Sequence, residues 1–519
     1  MNLEHGDHSD TDITSSGGEK RTDFESKNEK VEAVTSSASL DPENWSAYGV
    51  LAHNMLDQSI SFIRGIRETP IYNILTMPQH VCNLINEPLP EMPQGFEKVC
   101  ADFTALVLPY ATGNIHPRFW GWAAGNGNVG ANIAQLMAAT MNSNAIGGAQ
   151  SSTLVEKQVL EWCRQIFGFP ESFGGLIVNG TSMAAIVALC IARNQVLGNT
   201  RNVRLEGIIG GPKLVGYASS ETHFSASKAF ELLGLGRNAL RFVSVDTNYC
   251  IDITHLEKMI SEDLENGNLP FCIIGNAGTV NTGSIDDLSA LKAIALKYKL
   301  WFHVDGAFGA LGVLDKELKP RLLGIESADS LAFDFHKWFH VPFDAACLLT
   351  RNKMVHLASF SCDESYLTIH EDSADEYPFY YKLGPDLSRG FRALSVWFTL
   401  KEHGIRRLGQ KVHENCQQIK YLISLLRNYP WIEIKMPAIL NIACFRIHPE
   451  NWVDENKIDL LNENIVNDIQ QSGIALPSTT ILNGRLYIRC CIINHRTVFS
   501  DCDLFVNELV RITQQHLCQ

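Results

Sequence analysis

The sequence predicts an α/β protein: a mostly parallel, seven-stranded central sheet covered by helices, followed by a smaller α/β domain. Three observations carry this. Between about 120 and 350, short apolar runs alternate with stretches whose apolar residues recur at helical spacing. The runs are apolar throughout, as strands buried on both faces require. Past 386, long helical patterns precede two more apolar runs, LNIACFRI and RLYIRCCII.

Taken in order, residues 1–40 are polar, charged and nearly free of aromatics. Such a composition buries too little surface to offset ordering entropy, so a disordered tail is expected. Residues 41–118 read as an N-terminal helical arm: DPENWSAYGVLAHNMLDQSISFI has helical spacing, and 68–118 is proline-rich and irregular. The expected strands are GGLIV (174–178), KLVGYAS (213–219), ALRFVSV (239–245), FCIIGNA (271–277), LWFHVD (300–305), SLAFDF (330–335) and ACLLTR (346–351). Helical stretches such as SMAAIVALCIARNQ and DDLSALKAIALKY separate them. A large domain over 119–400 and a small one over 401–519 follow from this pattern.

At 519 residues, 45% hydrophobic and 19% charged, the chain can bury a large core. Its formal charge of −14 argues against nucleic acid or an anionic membrane surface as partner. The 14 cysteines form no C-x-x-C pair, which disfavours zinc ribbons and dithiol redox sites. Unpatterned thiols without a visible secretion signal fit a reducing cytosol, so a cytoplasmic location is expected. The longest apolar run, MAAIVALCIA (183–192), is too short to cross a bilayer.

In a doubly wound sheet, ligands bind beyond the carboxyl ends of the strands. After GGLIV, NGTS opens a helix, where backbone N–H groups and the hydroxyls of Thr181 and Ser182 make a phosphate site or, read alone, a plain N-cap. His223 follows the second strand; Asn276 and Thr279 follow the fourth. The fifth ends on Asp305, a carboxylate that needs a cationic partner there. The sixth runs into Phe335-His336-Lys337-Trp338. A lysine so flanked either snorkels its tip to water or is kept neutral to attack a carbonyl. A phosphate cradle, an imidazole, a carboxylate and an amine at neighbouring strand ends decide for the second reading. The set suits pyridoxal 5′-phosphate, whose aldehyde takes a lysine, ring nitrogen a carboxylate and phosphate a helix N-terminus.

Two other patterns are set aside. GNGNVG (125–130) has dinucleotide-fingerprint spacing but follows no β-branched strand, and no acidic residue stands at the required distance. His336 and His340 have i, i+4 spacing without a third ligand, so no metal is expected.

With these residues in view, the chain resembles the group II pyridoxal-phosphate-dependent amino acid decarboxylases of transferase fold type I. The resemblance is carried by HPRFWGW (116–122), NGTSMAA (179–185), SSETHFSASKA (219–229), NAGTVNTGSIDDL (276–288), HVDGAFGA (303–310), ADSLAFDFHKW (328–338) and SRGFRALSVW (388–397). It implies that Lys337 bonds the cofactor, Asp305 pairs with its ring nitrogen and His223 stacks on the ring. Thr181, Ser182 and His336 fall at phosphate-binding positions, with Asn276 and Ala307 beside the cofactor. It also implies a homodimer with active sites at the subunit interface. A mobile lid over 361–382 would carry Tyr366, which protonates the α-carbon after CO2 leaves; a phenylalanine there accompanies aldehyde-forming relatives. The chain departs from the common pattern at Asp334 (often Asn), Met183 (acidic) and Gly390 (arginine in aromatic enzymes).

Trp120, Trp122 and Ala123 stand where relatives build the side-chain pocket, and Ala123 would widen it. The expected reaction is decarboxylation of a neutral aromatic L-amino acid, of tryptophan, tyrosine or phenylalanine type, to the amine plus CO2. There are two alternatives. HPRF is also a glutamate-decarboxylase spelling, so Arg118 could face the side chain of glutamate or aspartate. An aldehyde-forming or transaminating enzyme would use the same cofactor.

Overall fold

The computed structural model describes residues 40–71, 79, 82, 87–198, 200–361, 377–435 and 438–518. The expected tail, apart from Leu40, lies outside these residues, as do Tyr366 and most of the expected lid. The chain divides into two compact units, one ending at Ala52 and one spanning His53–Gln519. In the first, the Asn44 side chain accepts from the Ala47 N–H at 3.0 Å and caps the amino end of the helix that starts at Trp45.

The second unit holds both sheets. All seven expected strands form: β1 (Gly174–Val178), β2 (Leu214–Ser219), β3 (Leu240–Val243), β4 (Leu269–Asn276), β5 (Trp301–Asp305), β6 (Ser330–Asp334) and β7 (Ala346–Thr350). Their order is β1-β7-β6-β5-β4-β2-β3. Only β7 runs against the rest, pairing antiparallel with β1 and β6. The link 335–345 is too short for a crossover helix, so the chain can only turn back. β1 therefore shares its direction with β2, β4, β5 and β6, and their five carboxyl ends open on one edge. β1, β2, β6 and β7 are buried at every residue, which is why their sequences are mainly apolar, with polar residues only at their ends.

The helix Thr181–Leu197 follows β1 and packs on β6 and β7. It is apolar nearly all round, as a helix sandwiched in the interior must be, with Ala184, Val187, Ala188 and Ile191 buried.

The second sheet is antiparallel throughout, in the order β10-β11-β9-β8. It contains β8 (Ile432–Lys435), β9 (Ile442–Ile447), β10 (Ser478–Leu482) and β11 (Arg485–Cys491). β9 and β11 are the two runs read from sequence. β8 and β10 escape that reading because they are short and half exposed. The β10–β11 connection is Asn483-Gly484, with φ of 51° and 74°, the pairing a two-residue hairpin turn favours. The long helical run Ala393–Leu426 leads toward this sheet and breaks at Gly404, where φ is 68°. Among the described residues, no helix is long and apolar enough to cross a membrane.

One buried ion pair fastens β1 to the segments that precede and follow the large sheet. Arg389 Nη2 lies 2.6 Å from Glu156 Oε1, both side chains almost fully enclosed. Arg389 also donates to the carbonyls of Ala145 (2.6 Å) and Ile177 (2.8 Å), while Glu156 Oε1 accepts from Ile177 N–H at 3.2 Å. Removing one partner leaves an enclosed charge uncompensated. Glu156→Ala should lower unfolding free energy by roughly 3–5 kcal/mol, read from urea denaturation of the cofactor-free protein.

Candidate active site

The strand ends surround a cavity of about 370 Å3. Its walls include Thr181, Ser182, His223, Asn276, Asp305 and Ala307, together with His336 and Lys337. Trp122 and Ala123 close another side. The register explains the convergence: Asn276 pairs with Asp305 across β4 and β5, and Asp305 with Ala332 across β5 and β6, so these ends emerge at one level.

Each polar group is held by its own neighbours. Asp305 Oδ1 accepts from the Ala307 N–H at 3.1 Å, which folds the GAFGA turn back over the strand end. Asn276 is fixed by its amide, which donates to Thr222 Oγ1 (3.0 Å) and Asp286 Oδ2 (3.0 Å). His223 Nδ1 sits 2.9 Å from Ser225 Oγ, orienting the ring at the start of the helix Ser225–Leu232. Burial pushes the His223 imidazole below its ordinary pKa; Asp305 opposes that shift and Lys337 reinforces it. His336 is likewise pushed down by burial, and its Nδ1 lies 2.9 Å from the Ala345 carbonyl oxygen.

Lys337 reaches into this cavity rather than out to bulk water, its side chain only 22% exposed. Phe335 and Trp338 on either side are fully buried and anchor the turn in the core. The amine meets Asp334 Oδ2 at 3.2 Å. Asp334 also takes the Thr181 N–H at 2.8 Å and contacts the Thr181 hydroxyl, joining the lysine turn to the helix Thr181–Leu197. Sequence reading recorded Asp334 only as a departure; a carboxylate between Phe333 and Phe335 was the available signal.

Arg489 was missed altogether. It lies on β11 and is 3% exposed. It donates to the carbonyls of Trp122 (2.8 Å) and Val280 (2.9 Å), two residues of the cavity wall, and its Nη2 has no hydrogen-bond partner. An arginine inside the otherwise apolar run RLYIRCCII marked it.

Two readings of HPRFWGW are corrected. Trp120 does not line the cavity: it is 0% exposed in the core of the second sheet, 5.3 Å from the Phe505 ring, with Nε1 donating to the Pro117 carbonyl at 3.0 Å. Its backbone is bonded to Leu476 and Cys491, which pins that residue inward. Trp122, by contrast, has φ of 53° and is turned out to the cavity, half exposed. Arg118 does not face the cavity either. It donates to the Ile474 carbonyl at 2.5 Å and sits 3.3 Å from Asp501.

The GNGNVG run has a packing role. A Cβ on Gly125 would lie 1.4 Å from the His336 carbonyl oxygen, so only glycine lets this loop press against the lysine turn. Asn128 caps the helix Val129–Met141 and its amide donates to the His340 carbonyl at 2.8 Å. Among the described residues, no three metal-ligating side chains converge.

The donor set fits pyridoxal 5′-phosphate: an amine and a carboxylate face one cavity, with Thr181 and Ser182 at a helix start and a flat imidazole. Fold and site together define a pyridoxal-phosphate enzyme of fold type I. More narrowly, the chain belongs to the family of the pyridoxal-dependent decarboxylase conserved domain, whose model matches residues 78–448. It is accordingly an amino acid carboxy-lyase that uses this cofactor. It is 30% identical over 450 residues to an aromatic-L-amino-acid decarboxylase of Bacillus atrophaeus, covering 86% of this chain and 91% of that one. It is 29% identical to a phenylacetaldehyde synthase of Arabidopsis thaliana, over 87% and 92% of the two chains. The solved structure of Oryza sativa TDC with PLP and tryptamine superposes with a TM-score of 0.85 at 22% identity, covering 92% of this chain and all of that one.

Purified protein should be yellow, and borohydride should fix the cofactor on Lys337, detected by peptide mass spectrometry. Lys337→Ala should abolish the adduct. Gly125→Ala, which replaces no group facing the cofactor, should reduce it by displacing the lysine turn.

Proposed function

We propose that the substrate is a neutral aromatic L-amino acid, released as its amine plus CO2. The observation that carries this is the wall opposite the phosphate end. Trp122, Val280 and Phe308 line it, and Lys337 is the one Lys or Arg among the described lining residues. A substrate with a second carboxylate would bury that charge without a cation among the described lining residues on that wall, since Arg489 lies behind Trp122 and Val280 and serves their carbonyls. Arg118, the residue that favoured an acidic substrate, is committed elsewhere. The aromatic-L-amino-acid decarboxylase relative supports the same choice.

When bound, the cofactor supplies a conjugated electron sink for the charge left on the α-carbon as CO2 departs. Lys337 would hold it covalently until the substrate amine takes its place. Asp305 would keep a proton on the ring nitrogen, and the imidazole of His223, desolvated in its pocket, would lie against the ring. Thr181, Ser182 and His336 would bind the phosphate, with Asn276 and Ala307 alongside. Tyr366 would return a proton to the α-carbon from a lid that excludes water.

A second reading, aldehyde formation, draws on the phenylacetaldehyde synthase relative. Tyr366 favours the amine. We further propose a homodimer, since the helix Val129–Met141 exposes Val129, Leu136, Met137 and Met141. A cytoplasmic location is consistent with the described cysteines, all of which are unbridged.

A panel of amino acids tests the substrate. Tryptophan, tyrosine or phenylalanine should yield CO2 and the amine, whereas turnover of glutamate or aspartate alone would overturn the proposal. Tyr366→Phe should divert product from amine toward aldehyde, measured by chromatography.

A further inference from the structure

We propose that Asp334 is a resident anion at the phosphate end of the site, and that loading the cofactor requires this carboxylate to take up a proton. The inference rests on the cofactor seating proposed above and deepens it.

Asp334 is 2% exposed at the end of β6. Its Oδ1 holds the Thr181 N–H at 2.8 Å, and its Oδ2 holds the Thr181 hydroxyl. Oδ2 also lies 3.2 Å from Lys337 Nζ and 3.7 Å from His336 Nε2. The helix N-terminus that would attract the phosphate thus already serves a carboxylate. A phosphate arriving at Thr181 competes for those donors and brings like charge beside Asp334. Lys337, once bonded to the cofactor, is no longer the same ammonium partner. Loading therefore threatens both contacts that stabilise an enclosed carboxylate. A proton removes the conflict and turns the acid into a donor to the phosphate. An Asn side chain at this position would need no proton.

The surrounding charged groups do not substitute for that proton. Lys337 and His336 face Asp334 from its own turn, and His223 faces it from the neighbouring helix start. Burial lowers the pKa of both imidazoles. Asp305 acts on His223 and Asp344 on His336, so the other nearby carboxylates add negative charge. Since the protonated form accepts phosphate better, affinity for the phosphorylated cofactor should rise as pH falls.

The test titrates cofactor-stripped protein with pyridoxal phosphate and with pyridoxal. Absorbance gives the dissociation constants, and calorimetry in buffers of different ionisation heat gives the proton count. At about pH 8 a phosphate monoester is already dianionic, and the internal hemiacetal that only pyridoxal must open costs it affinity without changing the proton count. Wild type should take up about one more proton with pyridoxal phosphate than with pyridoxal. Asp334→Asn should tighten pyridoxal phosphate binding at least about tenfold more than it changes pyridoxal binding, and should lose the extra proton. Equal proton counts for the two ligands in wild type would overturn the proposal, and that measurement needs no variant. Weaker or unchanged phosphate-dependent affinity in folded Asp334→Asn would overturn it too. If neither ligand binds, the cofactor seating itself fails, and Asp334 with it.

Discussion

The turn after β6 is the constraint on which the site depends. A fully enclosed central strand ends in Asp334, and within three residues the chain must place an imidazole and an amine before returning as β7. Water cannot satisfy groups at that depth, so neighbouring elements do. The Thr181 end of the helix after β1 meets Asp334, the Ala345 carbonyl lies by His336, and Gly125 presses its backbone against His336. Lys337 is aimed because everything around it is already bonded. A lysine on a free surface loop would have no such direction, and an amine that must reach one carbonyl carbon gains from being held in advance.

The same logic extends outward from the sheet. Asn276 and Asp305, two of the groups proposed to face the cofactor, sit on strand ends in one register, where the backbone ladder sets their spacing. The opposite wall has no ladder of its own. Trp122 and Val280 come from loops, and both are held by Arg489 reaching in from the second sheet. Packing between the two sheets is therefore part of the cavity's shape. An arginine whose Nε and Nη1 serve backbone carbonyls works as a bracket, and it places a positive charge just behind the residues that would contact the substrate.

Much of the large sheet was legible because its strands are buried on both faces and so spelled as apolar runs. The candidate cofactor residues were legible because polar residues directly after such runs stand out. What sequence could not supply was direction. Trp120 and Trp122 are two positions apart and chemically identical, yet one fills the core of the second sheet and the other turns to the cavity, because the chain takes a positive φ at Trp122. Arg118 read as a residue that could face an acidic substrate and is a structural partner of Asp501. GNGNVG read as coincidence, and Gly125 is in fact required by contact with a backbone over two hundred positions away. β8 and β10 were missed because half-exposed edge strands of mixed composition carry little periodic signal.

This division bears on how one architecture can serve different substrates. Residues facing the cofactor are coupled through the sheet, so changing one disturbs the level at which the others emerge. The residues proposed to face the substrate side chain, Trp122 and Val280, are gripped by Arg489 through their backbone carbonyls, and those bonds do not depend on which side chains stand there. Arg489 grips the carbonyl of position 122 whatever residue stands there. Substitution at 122, 123 or 280 can then reshape the wall without moving Lys337 or Asp305. Identity of reaction and identity of substrate are written into separate parts of the chain, and resemblance at the strand ends speaks to the first far more firmly than to the second.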